Sequence, residues 1–566
     1  MLILLPWTAT VWLIPANWWH FHFYNDVLNI SSLHYGSDIL RAAKSLPALN
    51  HIPQAFLGSS TLIAGAATSL LLFPDAKRRG RLILSTIAAL LLVGSAAYEV
   101  GHRQRLTGMD VLDQHPVMGF LRSSLASKGS LTDLHVNAVS QYKSPSDRES
   151  LLLPAPAIDD SRQPLNVIII ILESVRASET GFYGDKKYTP NLDRIAKQGI
   201  VISDFYANST QTPRAEMSIL CGVTDFSRGA PFSTYGLPII NNCLPRILAN
   251  AGYETLWFHG YDKSFFDRTH FLSEMGFLEI HDRAQILQSN RDTEQLGWGV
   301  SDVAVFDYAF RQLEQTEAPF MAEILTLSNH YPFAWEWSAA DWPGAASASI
   351  SDDIMSQYRN GIRYTDYALG RFWDNFQHSP LKDNTILIIT GDHGVPIYDT
   401  STPASLFIRN ELLFRVPFVA IFPDRDHVLM ERVASQVDIA PTLVDALHIN
   451  VPTAFLGSSL LTGDSRDKAI FLAGSGIGYR EGSKHCYSPA LVCTREEGSC
   501  TAEQTQAELV CRKSSSDLLQ PDQVFLLAET AEPTFSVQKV VEFVDLSHSS
   551  GFMSYQERLP LPDTQN

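Results

Sequence analysis

From about residue 165 onward, apolar residues of this chain fall in short unbroken runs that stop on polar residues. Asn166-Val-Ile-Ile-Ile-Ile-Leu172 is followed at once by Glu173-Ser174, and Asn384-Thr-Ile-Leu-Ile-Ile-Thr390 by Gly391-Asp392-His393-Gly394. Short β-branched runs of this kind predict strands buried on both faces, the pattern of a parallel sheet. Further strands are predicted at Ile200 to Phe205, at Glu254 to Phe258 ending on His259, and at Phe320 to Leu327 ending on Ser328-Asn329-His330. Another is expected at Val416 to Phe422, which contains Pro417. Helical patterns lie between them. Thr189 to Gly199 carries a capping Thr189, Pro190 in the first turn and Gly199 as its stop. Tyr358 to Trp373 predicts a helix, and Gln436 to Leu447 another that Pro441 should kink. The alternation predicts an α/β domain built on a doubly wound, mostly parallel sheet flanked by helices.

The first hundred residues follow a different pattern. Met1 to Asn25 holds no charged side chain, and Phe56 to Phe73 and Leu82 to Tyr98 are uncharged apolar runs. Each approaches the roughly 20 residues that cross a bilayer as a helix. Lys77, Arg78, Arg79 and Arg81 sit between the last two runs. The positive-inside rule puts that gap in the cytoplasm and everything after about residue 100 outside the inner membrane. A cleaved signal peptide is the competing reading of the first run, but no basic segment precedes it and two more apolar runs follow. The missing basic segment also raises the alternative of a true start upstream of Met1. The expected organisation is an all-α membrane region at 1–100 with about three transmembrane helices and a connector at 101–160. A catalytic domain follows at 161–480, then a cysteine-stapled part at 481–566 packed on it.

Charge and cysteine content narrow the function classes. The chain has 566 residues, with 43 basic against 61 acidic side chains, for a net charge of -18. Such acidity argues against nucleic acid as a partner, because sequence-independent binding needs basic surface. All six cysteines (Cys221, Cys243, Cys486, Cys493, Cys500 and Cys511) fall in the part expected outside the membrane. That suits disulfides in an oxidising compartment. We expect one bridge between Cys221 and Cys243 and two within the late cluster; free buried thiols are the alternative.

Ligands of α/β sheets bind beyond the carboxyl ends of the strands. Glu173, His259, His330 and the pair Asp392-His393 all stand at such ends, and carboxylates with imidazoles suit a divalent ion such as zinc or manganese. A nucleophile candidate lies in Asn208-Ser-Thr-Gln-Thr-Pro-Arg-Ala-Glu-Met217. With Pro213 at the first helical position Thr212 would be the N-cap, its hydroxyl at a helix end that favours an alkoxide or a phosphate. Thr212 can equally serve only as a cap. Arg214 and Glu216 can equally be surface residues of that helix.

Several segments together resemble the alkaline phosphatase/sulfatase superfamily, and within it the lipoteichoic acid synthase-like phosphoglycerol transferases. Thr189 to Gly199 resembles the superfamily's T-P-N-L-D-R-L-A-x-x-G. Phe258-His259-Gly260-Tyr-Asp-Lys-Ser264-Phe265-Phe266-Asp267-Arg268 resembles the F-H-G-x-x-x-S-F-W-N-R substrate motif. Gly297 to Asp302, Thr326 to Phe333, Tyr364 to Gly370 and Gly391 to Gly394 are also similar to family segments. The resemblance covers roughly residues 165–450.

The resemblance implies an alkaline phosphatase-like fold, with Glu173, Thr212, Asp392 and His393 around one divalent metal ion. That ion would be Mn2+ or Mg2+, with Zn2+ as a further candidate. Thr212 would be the nucleophile, and His259, Arg268, Phe266 and His330 would face the substrate. His330 could also protonate the leaving alkoxide or only bind phosphate. The implied activity moves a phosphoglycerol head group from a membrane phospholipid donor, through phosphothreonine, to a hydroxyl of an unknown glycan or lipid acceptor. The implied location is a bacterial inner membrane with the catalytic domain on its periplasmic or extracellular side. Phosphoethanolamine transfer, or a sulfatase- or phosphodiesterase-type hydrolysis on the same fold, is the alternative. The chain departs from the pattern in having Phe266 and Asp267 for Trp and Asn, three membrane runs for the usual five, and the late cysteines. A formylglycine sulfatase is disfavoured because Gln211 and Ala215 stand where its C/S-x-P-x-R motif needs Cys or Ser and Arg. A two-zinc phosphomonoesterase would need further ligands that the sequence does not place. A non-catalytic membrane sensor would be expected to have lost a ligand, and none of the four is lost.

Overall fold

The computed structural model describes residues 163–513 with interruptions, the longest at 225–242, 334–352, 398–405 and 494–504. The three apolar runs, the connector at 101–160, Phe266, Asp267 and Cys500 lie outside the described residues. Among the described residues no helix is long and apolar enough to cross a membrane. Apart from Leu406–Arg409, the described residues fall in one compact unit.

Eight strands form the main sheet: β1 (Asn166–Leu172), β2 (Ile200–Tyr206), β3 (Glu254–His259), β4 (Glu279–His281), β5 (Phe320–Leu325), β6 (Thr385–Gly391), β7 (Phe418–Ile421) and β8 (Val428–Ser435). Their order is β8-β2-β7-β6-β1-β5-β3-β4. Every neighbouring pair is parallel except the two that involve β7. The two apolar runs, β1 and β6, pair directly in the middle and are buried throughout. Asn166 ties three strand starts together. Its Nδ2 donates to Thr385 Oγ1 and its Oδ1 accepts from Phe320 N.

Helices cover both faces, since alternate strand side chains point to opposite sides. On one face Ile168, Ile170, Ile324 and Leu387 pack with α1 (Pro190–Ala196), α5 (Asp302–Gln315) and α6 (Ile354–His378) through Ile195, Phe306, Leu369 and Phe372. On the other lies α2 (Thr212–Cys221), whose Glu216 meets the indole of Trp257 in β3. A disulfide joins Cys221, at the end of α2, to Cys243 at the start of α3 (Leu244–Asn250). Between α3 and α5 the chain forms α4 (Arg268–Met275), and it later forms α7 (Leu406–Phe414) and α8 (Ile439–Ala446).

Two of the recognised segments meet each other. Asp366 in α6 accepts from Asn191 N and Leu192 N, so a distant carboxylate caps α1. Thr189, the expected cap, makes no capping bond; its Oγ1 accepts from Gly181 N. Gly370, one turn beyond Asp366, leaves the room that Asn191 fills, for a Cβ there would lie 2.4 Å from Asn191 Cγ. The expected kink at Pro441 does not occur. A 3-10 turn at Gln436–Asp438 leads into α8, and Pro441 falls in its first turn, where a missing N–H breaks no helical bond.

A second, antiparallel sheet contains β9 (Lys468–Ala473), β10 (Gly476–Glu481), β11 (Lys484–Ser488) and β12 (Val510–Lys513). It therefore spans residue 480, where the sequence divides catalytic from cysteine-rich parts. Cys486 and Cys511 stand opposite each other in its register. The sheet docks through Phe471, stacked on Tyr206 and Phe414. A buried polar patch accompanies the aromatic contact. Tyr206 donates to Glu411 at 2.8 Å, Arg480 Nε donates to Tyr206, and His485 Nδ1 lies 2.8 Å from Glu411 Oε1.

Burial disfavours the charged form of Glu411, but His485, Arg415 and Arg480 outweigh it and pull its pKa from 4.5 down to about 2. A carboxyl whose folded pKa is depressed stabilises the fold above its ordinary value and loses that contribution as pH falls through the folded value. Unfolding of the full chain by denaturant should therefore show stability falling from pH 4.5 toward about 2. In Glu411→Gln this fall should shrink, by about 1–2 kcal/mol after allowance for partial exposure.

Candidate active site

β1 and β6 end side by side, with Leu172 and Gly391 in register. The next residues, Glu173 and Asp392, are consequently neighbours, and both are buried. The chain must turn sharply after β1, and Ser174 adopts a left-handed φ of 59°. Hydrogen bonds hold this unfavourable conformation. Ser174 N donates to Asp392 Oδ1 at 2.7 Å, and Tyr358 OH donates to Ser174 O at 2.8 Å. Gln436 fixes the opposite side by donating from Nε2 to the carbonyls of Gly391 (2.9 Å) and Asp392 (2.7 Å).

One ligand atom from each of Glu173, Asp392 and His393 lies within 4.8 Å of the others. His393 Nδ1 sits 2.8 Å from the Gly394 carbonyl, which fixes the proton there and leaves the Nε2 lone pair facing the cluster. That Nε2 is 3.4 Å from Asp392 Oδ2, a buried oxygen with no hydrogen-bond donor. Acceptors thus converge on one another, an arrangement that a cation would satisfy. Burial and the Glu173 charge push the Asp392 carboxyl well above its usual range. Burial also opposes ionisation of Glu173, but His330, His393 and the Ser174 hydroxyl outweigh it and lower its pKa. Without a cation the two buried carboxyls repel each other, and the cost falls on Asp392. The donor set of two carboxylates and one imidazole fits a divalent ion.

Thr212 joins this group. Its Oγ1 donates to Glu173 Oε2 at 3.1 Å. The helix begins one residue earlier than expected, so Thr212 is its first residue and Gln211 the N-cap. Asn208 braces the preceding segment. It accepts from Val437 N, donates to the Ile470 carbonyl, and its own N–H reaches Gln436 Oε1. The same Gln436 therefore fixes both the Asp392 turn and the approach to Thr212. Arg214 and Glu216 are buried, contrary to the surface alternative.

The imidazoles lie at the next strand ends. His259 Nδ1 is 3.0 Å from the Leu325 carbonyl, so Nε2 is the free acceptor of a neutral ring. Burial and the Arg268 charge drive its pKa down to about 3. His330 is half-buried, its Nδ1 2.8 Å from Tyr331 O and its ring packed on Trp298. Its loop is held by Asp302, which accepts from Leu327 N (2.7 Å) and Ser328 N (3.0 Å). Glu173, His259 and His330 lie close enough to influence one another electrostatically, which places these side chains in one site. Arg268, the first residue of α4, is buried over the Trp257 ring with its guanidinium paired to Glu216. Glu216, Trp257, Glu323, Asn208 and Gln436 were not singled out in the sequence as site residues. A lone acid inside the apolar run Phe320 to Leu325 was the one legible sign of Glu323.

Two carboxylates and an imidazole that could hold a cation, beside a helix-borne hydroxyl at the carboxyl ends of a mostly parallel sheet, define an enzyme of the sulfatase and alkaline phosphatase type, a class whose members are metal-dependent. Residues 165–449, half of the chain, match the model of the Sulfatase family, and the chain belongs to that family. It is 24% identical over 326 residues to lipoteichoic acid synthase 2 of Bacillus subtilis, covering 55% of this chain and 49% of that protein. It is 25% identical over 315 residues to the lipoteichoic acid synthase of Staphylococcus aureus, covering 52% and 47%. The chain thus spans about half the length of the curated relatives it matches. Its fold is that of an alkaline phosphatase superfamily protein from Vibrio parahaemolyticus, with a TM-score of 0.55, 21% identity, and coverage of 73% of this chain and 92% of that one. The lipoteichoic acid synthase LtaP from Listeria monocytogenes aligns at a TM-score of 0.50 and 20% identity, covering 74% and 99%.

Because Gln436 orients the Asp392 turn without touching the cradle's ligand atoms, Gln436→Ala should weaken Mn2+ binding to the full chain roughly tenfold or more. Titration calorimetry checks this, with Glu173→Gln as a reference expected to lose binding altogether.

Proposed function

We propose that this protein is a membrane-anchored, metal-dependent transferase that moves a phosphoglycerol head group from a phospholipid donor to an acceptor hydroxyl outside the inner membrane. The observation that carries this reading is the Thr212 hydroxyl, 3.1 Å from Glu173 at the edge of the Glu173–Asp392–His393 cluster. The lipoteichoic acid synthase relatives support phosphoglycerol as the transferred group. Bound by Glu173, Asp392 and His393, a divalent ion (Mn2+ or Mg2+, with Zn2+ as the alternative) supplies the charge that lowers the pKa of the Thr212 hydroxyl and offsets negative charge at phosphorus.

Thr212 Oγ attacks phosphorus in line, and the bond to the diacylglycerol oxygen breaks. The leaving alkoxide takes a proton from His330 Nε2, since Nδ1 is engaged with Tyr331 O. Neutral His259 accepts a hydrogen bond from a head-group hydroxyl, and Arg268 holds a phosphate oxygen. The acceptor hydroxyl, on a glycan or lipid, then attacks the phosphothreonine; the bond from phosphorus to Thr212 Oγ breaks, releasing the Thr212 alkoxide, and His330 takes up the acceptor's proton. Positioning and fixed charge supply most of the rate in such phosphoryl transfers. The uncharged N-terminal runs provide the anchor that keeps the site at the lipid surface, and the Cys221–Cys243 bridge suits an oxidising compartment.

Incubation of the purified full chain with phosphatidylglycerol should add one glycerophosphoryl group, mapped by peptide mass to Thr212 and absent in Thr212→Ala. An adduct from phosphatidylethanolamine in its place would reassign the head group. No adduct from either lipid, with release of sulfate from an aryl sulfate, would contradict the transferase reading.

A further inference from the structure

Beneath Arg268 lies a buried group of charges that the mechanism above does not use. Glu323, in the middle of β5, is fully buried, in register with Trp257 of β3 and Ile169 of β1. Glu216 of α2 faces it and is equally buried. Both acids approach the Trp257 indole N–H, which lies 3.0 Å from Glu323 Oε1 and 3.3 Å from Glu216 Oε1. The two carboxyls thus converge on one indole N–H; Glu216 Oε2 pairs with Arg268 Nη2, and Glu323 Oε2 is buried without a hydrogen-bond partner. Arg268 Nε, by contrast, is buried without an acceptor, leaving a donor of the guanidinium for another anion.

Two buried carboxyls gathered on one indole N–H repel each other unless one keeps its proton. Here a single guanidinium faces two buried acids, and a second uncompensated anion would be costly. His259, two residues beyond Trp257 in β3, is neutral and adds no compensating charge. We propose that Glu216 and Glu323 act as a proton-sharing pair that positions Arg268 and sets how much positive charge it presents to the substrate phosphate. This rests on the head-group transfer reading, in which Arg268 holds that phosphate. With one proton on the pair, the cluster of Arg268, Glu216 and Glu323 is neutral, and the guanidinium is only partly engaged. Loss of that proton places two anions under one cation and repels a phosphodiester. Burial, then the charge of Glu216, holds the Glu323 carboxyl well above the usual carboxylate range, so the pair keeps a proton where free carboxyls have lost theirs and gives it up only as pH rises.

The test is binding of glycerophosphoglycerol to the full chain, carrying Thr212→Ala to prevent turnover, with saturating Mg2+ and from neutral to alkaline pH. This diester stays a monoanion across that range, so a change in affinity reports on the protein. The parent should lose roughly tenfold in affinity as pH rises, the size of effect expected for one buried like charge. Glu323→Gln and Glu216→Gln each leave one acid for one guanidinium, so the alkaline loss should disappear in both, and either variant alone suffices if the other does not fold. An alkaline loss unchanged in the variants overturns the proposal, while abolished binding in Arg268→Ala would leave the transferase reading standing. Unchanged binding in Arg268→Ala would overturn both.

Discussion

The structure depends on two buried carboxylates brought together by strand pairing. Glu173 and Asp392 follow directly on β1 and β6, two strands buried along their whole length, which lie side by side in the centre of the sheet. Neither side chain can retreat to water, because both are buried and their backbones are pinned. Like charges in such a place are tolerated only with a proton or a cation between them. A site of this kind is poorly stable when empty and strongly organised when filled, which suits a centre that must not rearrange during the reaction.

Much of the surrounding hydrogen bonding serves to hold backbone and not substrate. Asp302 grips the turn that carries His330, Gln436 grips the Asp392 turn, Asn208 braces the approach to Thr212, and Asn329 Nδ2 donates to the Glu173 carbonyl. Each is a buried polar side chain spent on main-chain groups at a strand end. Such supports keep reacting groups within fractions of an ångström of their working positions. The small sheet takes part as well, since Asn208 is tied to the Ile470 carbonyl in β9. The part of the chain that follows the recognised segments is thereby coupled to the segment that carries Thr212.

The strands that carry the site were legible because they are buried on both faces and so consist of β-branched runs with abrupt polar ends. β1 has the bounds that its sequence predicts, and β3 and β5 agree within two residues. The sheet edges were not legible. β8 is half exposed and carries Glu431 and Arg432, which break its apolar pattern, and β4 is only three residues long. Glu173, Asp392 and His393 could be read from strand ends, and Thr212 from its place before a proline at a helix start. Glu216 could not be assigned to the interior, because its burial is created by Arg268 and Trp257, which are distant in sequence. Pro441 misled for a related reason. A proline's effect depends on its distance from the helix start, and that start is set by the turn at Gln436–Asp438.

A strand-end cluster of two buried carboxyls and an imidazole should take up one divalent ion and give up a proton as it does so. The most direct measurement is calorimetric titration of the full-length chain with Mn2+ in buffers of different ionisation enthalpy, which counts both ions bound and protons released. One ion at this site and net proton release on binding are expected, both lost in Asp392→Asn. Tight binding with no proton release, or binding that survives Asp392→Asn, would contradict it.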